Sequence, residues 1–163
     1  MRQAFFLLLV LPFLLTSCGP DPLKYNDNLV DHIEDANSRA EKLNSEIEDI
    51  LESGDFTKIK ERTKVAVDSL NLDIEKINNL GRPSGAEEFH QATVEYIKSL
   101  VVNADVIGTQ YSLLNDTISD AEFERISKPI EDTEKVSDEK FEKMIEAQKV
   151  FAKAKNFELK KTY

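Results

Sequence analysis

Leu29-Val30-Asp31-His32-Ile33-Glu34-Asp35-Ala36-Asn37-Ser38-Arg39-Ala40-Glu41-Lys42-Leu43-Asn44-Ser45-Glu46-Ile47-Glu48-Asp49-Ile50 is the stretch that decides the fold. Its apolar residues Leu29, Ile33, Ala36, Ala40, Leu43, Ile47 and Ile50 recur at spacings of 4, 3, 4, 3, 4 and 3. Such spacing draws one stripe along an α-helix, and the charged residues between fall on the opposite face. The spacing predicts a helix from Tyr25 to Ser53, stopped by Gly54, a residue suited to the left-handed conformation that ends helices.

Reading towards the C-terminus, the period continues. A second helix is predicted over Asp55–Leu80, with Asp55 as its N-cap and Phe56, Ile59, Thr63, Ala66, Leu70, Ile74, Ile77 and Leu80 along its stripe. Gly81 ends it and Arg82-Pro83 turns the chain. Ser84 and Glu87 then have the spacing of a capping box, in which each side chain satisfies an orphan backbone N–H. The third helix carries Phe89, Thr93, Tyr96, Ile97, Leu100, Ala104, Ile107, Tyr111 and Leu114, up to Asn115-Asp116. Ser119 and Glu122 repeat the capping-box spacing. The fourth helix carries Phe123, Ile126, Ile130, Val136, Phe141, Met144, Ile145, Gln148 and Phe151. Pro129 lies inside it and is expected to kink or split it near Lys128, because proline lacks the N–H and crowds the preceding turn.

No strand-period alternation of useful length interrupts these four segments. Long helices joined by short loops place neighbours antiparallel, so the expected fold is all-α: an up-down-up-down four-helix bundle over residues 25–163. A long dimeric coiled coil is the alternative, and the three turns argue against it.

Reading towards the N-terminus, the chain has one cation, Arg2, then the apolar run Ala4 to Leu15. That is the layout of a secretion signal and is too short for a bilayer span, which takes about 20 residues. The run ends Leu15-Thr16-Ser17-Cys18, the small-residue and cysteine pattern that a lipoprotein signal peptidase requires. Cys18 is the single cysteine and so has no disulfide partner. Residues 1–17 are therefore expected to be removed and Cys18 to be acylated, as with palmitate, anchoring the chain to a membrane; two or more acyl chains give stable attachment. Residues 18–24, with Gly19-Pro20-Asp21-Pro22, are expected to form a short non-helical tether. Gly19 stands where an Asp would favour inner-membrane retention in many Gram-negative bacteria, which points to the outer membrane. Loss of residues 1–17 removes Arg2 and no acid, so the net charge of −10 becomes −11, and nucleic acid is not an expected partner.

Tyr25-Asn26-Asp27-Asn28-Leu29-Val30-Asp31 and Ala147-Gln148-Lys149-Val150-Phe151-Ala152-Lys153-Ala154-Lys155-Asn156-Phe157-Glu158-Leu159 resemble the two ends of a family of small bacterial surface lipoproteins first noted in leptospires. The resemblance implies a helical lipoprotein displayed at the cell surface. The family has no established activity, so it implies no functional residues.

Catalytic chemistry finds little footing. The sequence has no Gly-x-Ser-x-Gly elbow, no phosphate-cradling glycine loop and no thiol besides Cys18. An enzyme is not expected, nor a cofactor. Glu87-Glu88-Phe89-His90 supplies one Glu-x-x-His motif of the kind that holds paired metals in bundles, but His32 has Leu29 three residues before it, so the second motif is missing. With Phe89 inward, Glu87 is expected to cap its helix and His90 to lie near the surface; no metal site is assigned. Thr63 and Gln148 fall on core stripes, where they could fix register, meet a ligand or meet each other.

Charge placed on the expected topology gives the remaining signal. Arg82, Lys153, Lys155, Lys160 and Lys161 fall at the anchored end, while Glu48, Asp49, Glu52, Asp55, Asp116, Asp120, Glu122 and Glu124 fall at the other. Glu48, Asp49 and Glu52 sit at a helix C-terminus, where the helix dipole disfavours acids. The candidate binding residues are accordingly Glu48, Asp49, Glu52, Asp55, Asp116 and Asp120, facing a cation or a basic protein partner. The expected function is a non-enzymatic, membrane-anchored binding module of the cell envelope; the alternative is a helical-bundle carrier of a metal ion or small ligand.

Overall fold

A computed structural model describes residues 19–114 and 118–160. Among the described residues there are four helices: α1 (Pro22–Ser53), α2 (Ile59–Asn78), α3 (Glu87–Tyr111) and α4 (Asp120–Lys155), with a 3₁₀ turn at Phe56–Lys58 before α2. Each helix packs against the next, and α1 also touches α3. The start of α1, the α2–α3 turn and the end of α4 share one end of the bundle. There Tyr25 meets His90 and Phe151, and the Lys155 side chain lies beside Gly85. We call this end the base and the opposite end the tip. The all-α, up-down-up-down bundle expected from periodicity is the fold observed.

Helix ends follow local chemistry. Asp21 accepts from the backbone N–H groups of Leu23 and Lys24 (2.9 and 3.2 Å), and Pro22 occupies the first turn, where its missing N–H costs nothing. The helical body therefore begins at Pro22 instead of residue 25, and the tether expected over 18–24 loses its last three residues to α1. At the other end of α1, Gly54 takes φ 71° and returns its N–H to the Ile50 carbonyl at 3.0 Å.

Asp55 does not cap α2. Its carboxylate instead takes the Thr57 hydroxyl at 2.5 Å and the Lys58 ammonium at 2.8 Å, and α2 begins after the intervening 3₁₀ turn. The box expected at Ser84 and Glu87 is also absent. Gly85 adopts φ 80°, Pro83 and Ala86 are buried, and α3 starts with no side-chain cap, because packing of this turn fixes it before Ser84 can reach back. The box at Ser119 and Glu122 forms in both directions.

α4 runs unbroken through Pro129, so no split occurs at Lys128. The carbonyl deprived of a partner by Pro129 belongs to Arg125, an exposed residue, where water can substitute. α4 also corrects the expected core: Val136 is 47% and Phe123 40% exposed. The inward row is Ile130, Ser137, Met144 and Phe151, every seventh residue, all buried. Ser137 takes the position assigned to Val136 because its hydroxyl satisfies itself on the Thr133 carbonyl at 3.1 Å.

Two apolar cores stack along the bundle. The base core contains Leu29, Ile33, Leu70, Ile77, Phe89, Ile97, Met144 and Phe151; the tip core contains Leu43, Ile47, Ile50, Ile59, Ala66, Ala104, Ile107 and Ile130. Full burial of such side chains contributes about 1.5–3 kcal/mol each. Several polar pairs sit where the cores meet: Tyr96 donates to Asn37 (2.6 Å), Asn103 to Thr133 (2.9 Å), and Arg39 holds Asp73 (2.7 Å).

Candidate functional site

The tip acids lie where the topology expects them, but they do not converge. Glu48, Asp49 and Glu52 are exposed near the end of α1 and make no ion pair among the described residues; Asp55 is held by Thr57 and Lys58, and Asp120 lies in the first turn of α4. Asp116 lies outside the described residues. No three tip acids among those described bring carboxylate oxygens to within metal-binding reach of one another. A spread of acids suits a broad basic surface better than a single cation.

The base is mixed in charge. Arg82, Lys153, Lys155 and Lys160 do lie there, but so do Asp21, Asp27, Glu87, Glu88 and Glu158, and Lys160 is 3.8 Å from Asp27. Lys161 and Cys18 lie outside the described residues, as does the whole expected signal peptide. Among the described residues no helix is long and apolar enough to cross a membrane.

Inside the base is a polar clamp that sequence reasoning missed. His90, expected near the surface, is 5% exposed, and its Nδ1 is 2.7 Å from the Tyr25 hydroxyl. Burial pushes the Tyr25 hydroxyl up to about 12, against the opposing pull of Arg82, so the phenol keeps its proton. The positive charge of Arg82 opposes that rise without reversing it. A phenol that keeps its proton can donate it to Nδ1 of a neutral imidazole. Burial first, and Arg82 second, depress the pKa of His90, consistent with that state. One step along, Gln148 donates to the Asn26 side chain at 2.9 Å. Thr63 bonds back to the Ile59 and Lys60 carbonyls instead, so the two polar core residues never meet. These contacts bind the first turn of α1, next to the expected anchor, to α3 and α4. Glu87, the other half of the Glu-x-x-His motif, is exposed while His90 is buried, so that motif does not assemble.

A second cluster spans α1 and α2 in the base half. His32, Asp35 and Asp73 each present a ligand atom within 4.8 Å of the others'. Asp73 is fully buried and receives Arg39 at 2.7 Å and Lys76 at 3.4 Å; Arg39 also lies 3.9 Å from Asp35. Burial of a carboxylate is costly unless it is paired, which explains the two cations. The signal was present in the sequence. Asp73 stands three residues after Leu70 and four before Ile77, at the edge of an apolar stripe where an acid needs a reason. A groove of about 410 Å³ between α3 and α4 is lined mainly by Glu88, Gln91, Glu95, Lys140, Lys143 and Glu146; Lys140 crosses to Glu95 at 2.7 Å.

No protein-family model, curated protein or solved structure matches this chain.

Proposed function

We propose that the chain is a lipid-anchored, non-enzymatic binding module of the bacterial cell envelope, attached through Cys18 and offering its acidic tip to a basic partner protein. One observation carries this proposal. Only Gly19, Pro20 and Asp21 separate the Leu15-Thr16-Ser17-Cys18 motif from a capped helix of 32 residues. At 1.5 Å per residue α1 reaches about 48 Å, so an anchor at Cys18 would hold Glu48, Asp49 and Glu52 well clear of the bilayer. The Tyr25–His90 clamp supports the same arrangement by tying the anchored turn to the bundle. Gly19 after the anchor cysteine is the ground for placing the module on the outer membrane, and the likeness of the chain's two ends to leptospiral surface lipoproteins is the ground for its facing outward.

Two measurements in the producing cell test this. Cys18→Ser should abolish incorporation of labelled palmitate and move the protein out of the membrane fraction; unchanged fractionation would overturn the anchor. Protease treatment of intact cells should clip the protein if it faces outward. The combined variant Glu48→Gln, Asp49→Asn, Glu52→Gln should lose cross-links to a partner while remaining folded and membrane-bound, and retention of the same cross-links would remove the tip from the account.

A further inference from the structure

We propose that His32, Asp35 and Asp73 form a binding site for a divalent transition ion of the zinc, cobalt and nickel class, held between α1 and α2. Such ions take imidazole nitrogen and carboxylate oxygen at about 2.0–2.2 Å, so donors on one ion stand roughly 3–4 Å apart. Here the three donors already lie within 4.8 Å of one another, and closing the gap takes side-chain adjustments of about 1 Å. His32 and Asp35 are one turn apart on α1, and Asp73 reaches the same point from α2, so the backbone needs no rearrangement.

His32 is the observation that points to a ligand. Its Nδ1 is buried and has no hydrogen-bond partner, and it makes no ion pair among the described residues. An unsatisfied buried nitrogen costs about 1–3 kcal/mol, a cost that survives in a folded protein only with a reason. Ligation of an ion through Nδ1 would supply the partner this nitrogen lacks, and His32 is only part-buried, so an ion can reach it.

The site already draws positive charge. Arg39 lies beside both Asp73 (2.7 Å) and Asp35 (3.9 Å), the two carboxylates that the ion would bridge. Its side chain is 34% exposed, and that of Lys76 is 45% exposed, so both can swing into water. Binding is therefore an exchange in which the ion takes the Asp73 oxygens and Arg39 withdraws. Three protein ligands leave open positions for water. The site differs from the paired Glu-x-x-His arrangement in motif and place, and it stands independently of the proposed anchor and tip.

The test is titration of cobalt(II), then zinc, into the full-length chain carrying Cys18→Ser in detergent, so that no thiol competes. One equivalent of cobalt should bind, with visible d–d absorption. His32→Ala and Asp73→Asn should each weaken binding by about tenfold or more, and Arg39→Gln should tighten it severalfold by removing the competing cation. Circular dichroism checks that each variant is folded; if Asp73→Asn does not fold, His32→Ala and Arg39→Gln decide. Absence of stoichiometric cobalt binding at millimolar ion, binding unchanged in His32→Ala, or binding weakened by Arg39→Gln would each overturn the site.

Discussion

Gly108 lies buried in the last turn of α3, facing Thr63 on α2, and replacing it with alanine sets two effects of known size against each other. Alanine is favoured over glycine in a helix interior by about 0.8–1.0 kcal/mol, and a buried methyl adds about 0.8 kcal/mol where there is room for it. Here there is no room. A Cβ at position 108 would overlap the Thr63 hydroxyl and stand 3.0 Å from Thr63 Cβ and 3.3 Å from its Cγ2. Rotating Thr63 does not relieve the overlap, because Oγ1 and Cγ2 both face the glycine, and it would break the hydroxyl's bonds to the Ile59 and Lys60 carbonyls. The helices must move apart, and overpacking of this kind costs about 1–3 kcal/mol, while the Thr63 hydroxyl keeps its bonds within α2. Gly108→Ala should therefore destabilise the protein by up to about 2 kcal/mol net, lowering Tm by several degrees. In a Thr63→Ala background the Oγ1 and Cγ2 overlaps are gone and only the Cβ contact at 3.0 Å remains, so the same change should cost much less than in the wild type. Urea denaturation of the four members of this cycle, followed by helical ellipticity, measures both values. Stabilisation by Gly108→Ala in the wild-type background, or equal effects in both backgrounds, would refute close contact between α2 and α3 at this point.

His90 makes stability sensitive to mild acid. Because its folded pKa is depressed below the ordinary value near 6.5, the stability it contributes is complete above that pH and is lost as pH falls towards the folded value, at up to about 1.4 kcal/mol per pH unit. Thermal melts between pH 7 and 5 should show this slope in the wild type and a flatter one in His90→Gln. Arg39→Ala should cost about 1–3 kcal/mol in denaturant melts, because it leaves the fully buried Asp73 with only Lys76 at 3.4 Å; an effect below a few tenths would mean that Asp73 is not confined as described. Gly54→Ala should cost about 1 kcal/mol through backbone conformation alone, since φ is 71° and nothing lies within 4 Å of the added Cβ; asparagine there should cost less.

The candidate sites were legible to different degrees. Glu48, Asp49 and Glu52 could be placed at the tip from periodicity and topology, since both follow from local sequence. His90 could not be placed inward. One residue after Phe89 on a helical wheel it reads as flanking, and only the approach of Tyr25 from α1 buries it. The cluster at Asp73 was half legible: an acid at a stripe's edge was visible, but not which cations or which histidine would meet it, because His32, Asp35 and Arg39 lie 34 residues or more away in the chain. The Ser84–Glu87 spacing failed and the identical Ser119–Glu122 spacing succeeded for the same kind of reason. Packed neighbours dictate the first turn, whereas exposed Ser119 is left to its own hydrogen bonds.

By itself the sequence determined the helices, their order and their antiparallel course, because 3.6-residue periodicity, glycine stops and loop length act over a few neighbouring residues. It also determined the motif at Cys18, a covalent pattern that needs no fold to be read. Only the tertiary structure decided which polar residues face inward. Ser137 displaces Val136 from the core, Tyr25 closes on His90, and Asp73 is sealed under α1 among Arg39, Lys76, Asp35 and His32. The energy of a buried polar group depends on the partners brought to it, and here those partners come from other helices, beyond the reach of any local pattern.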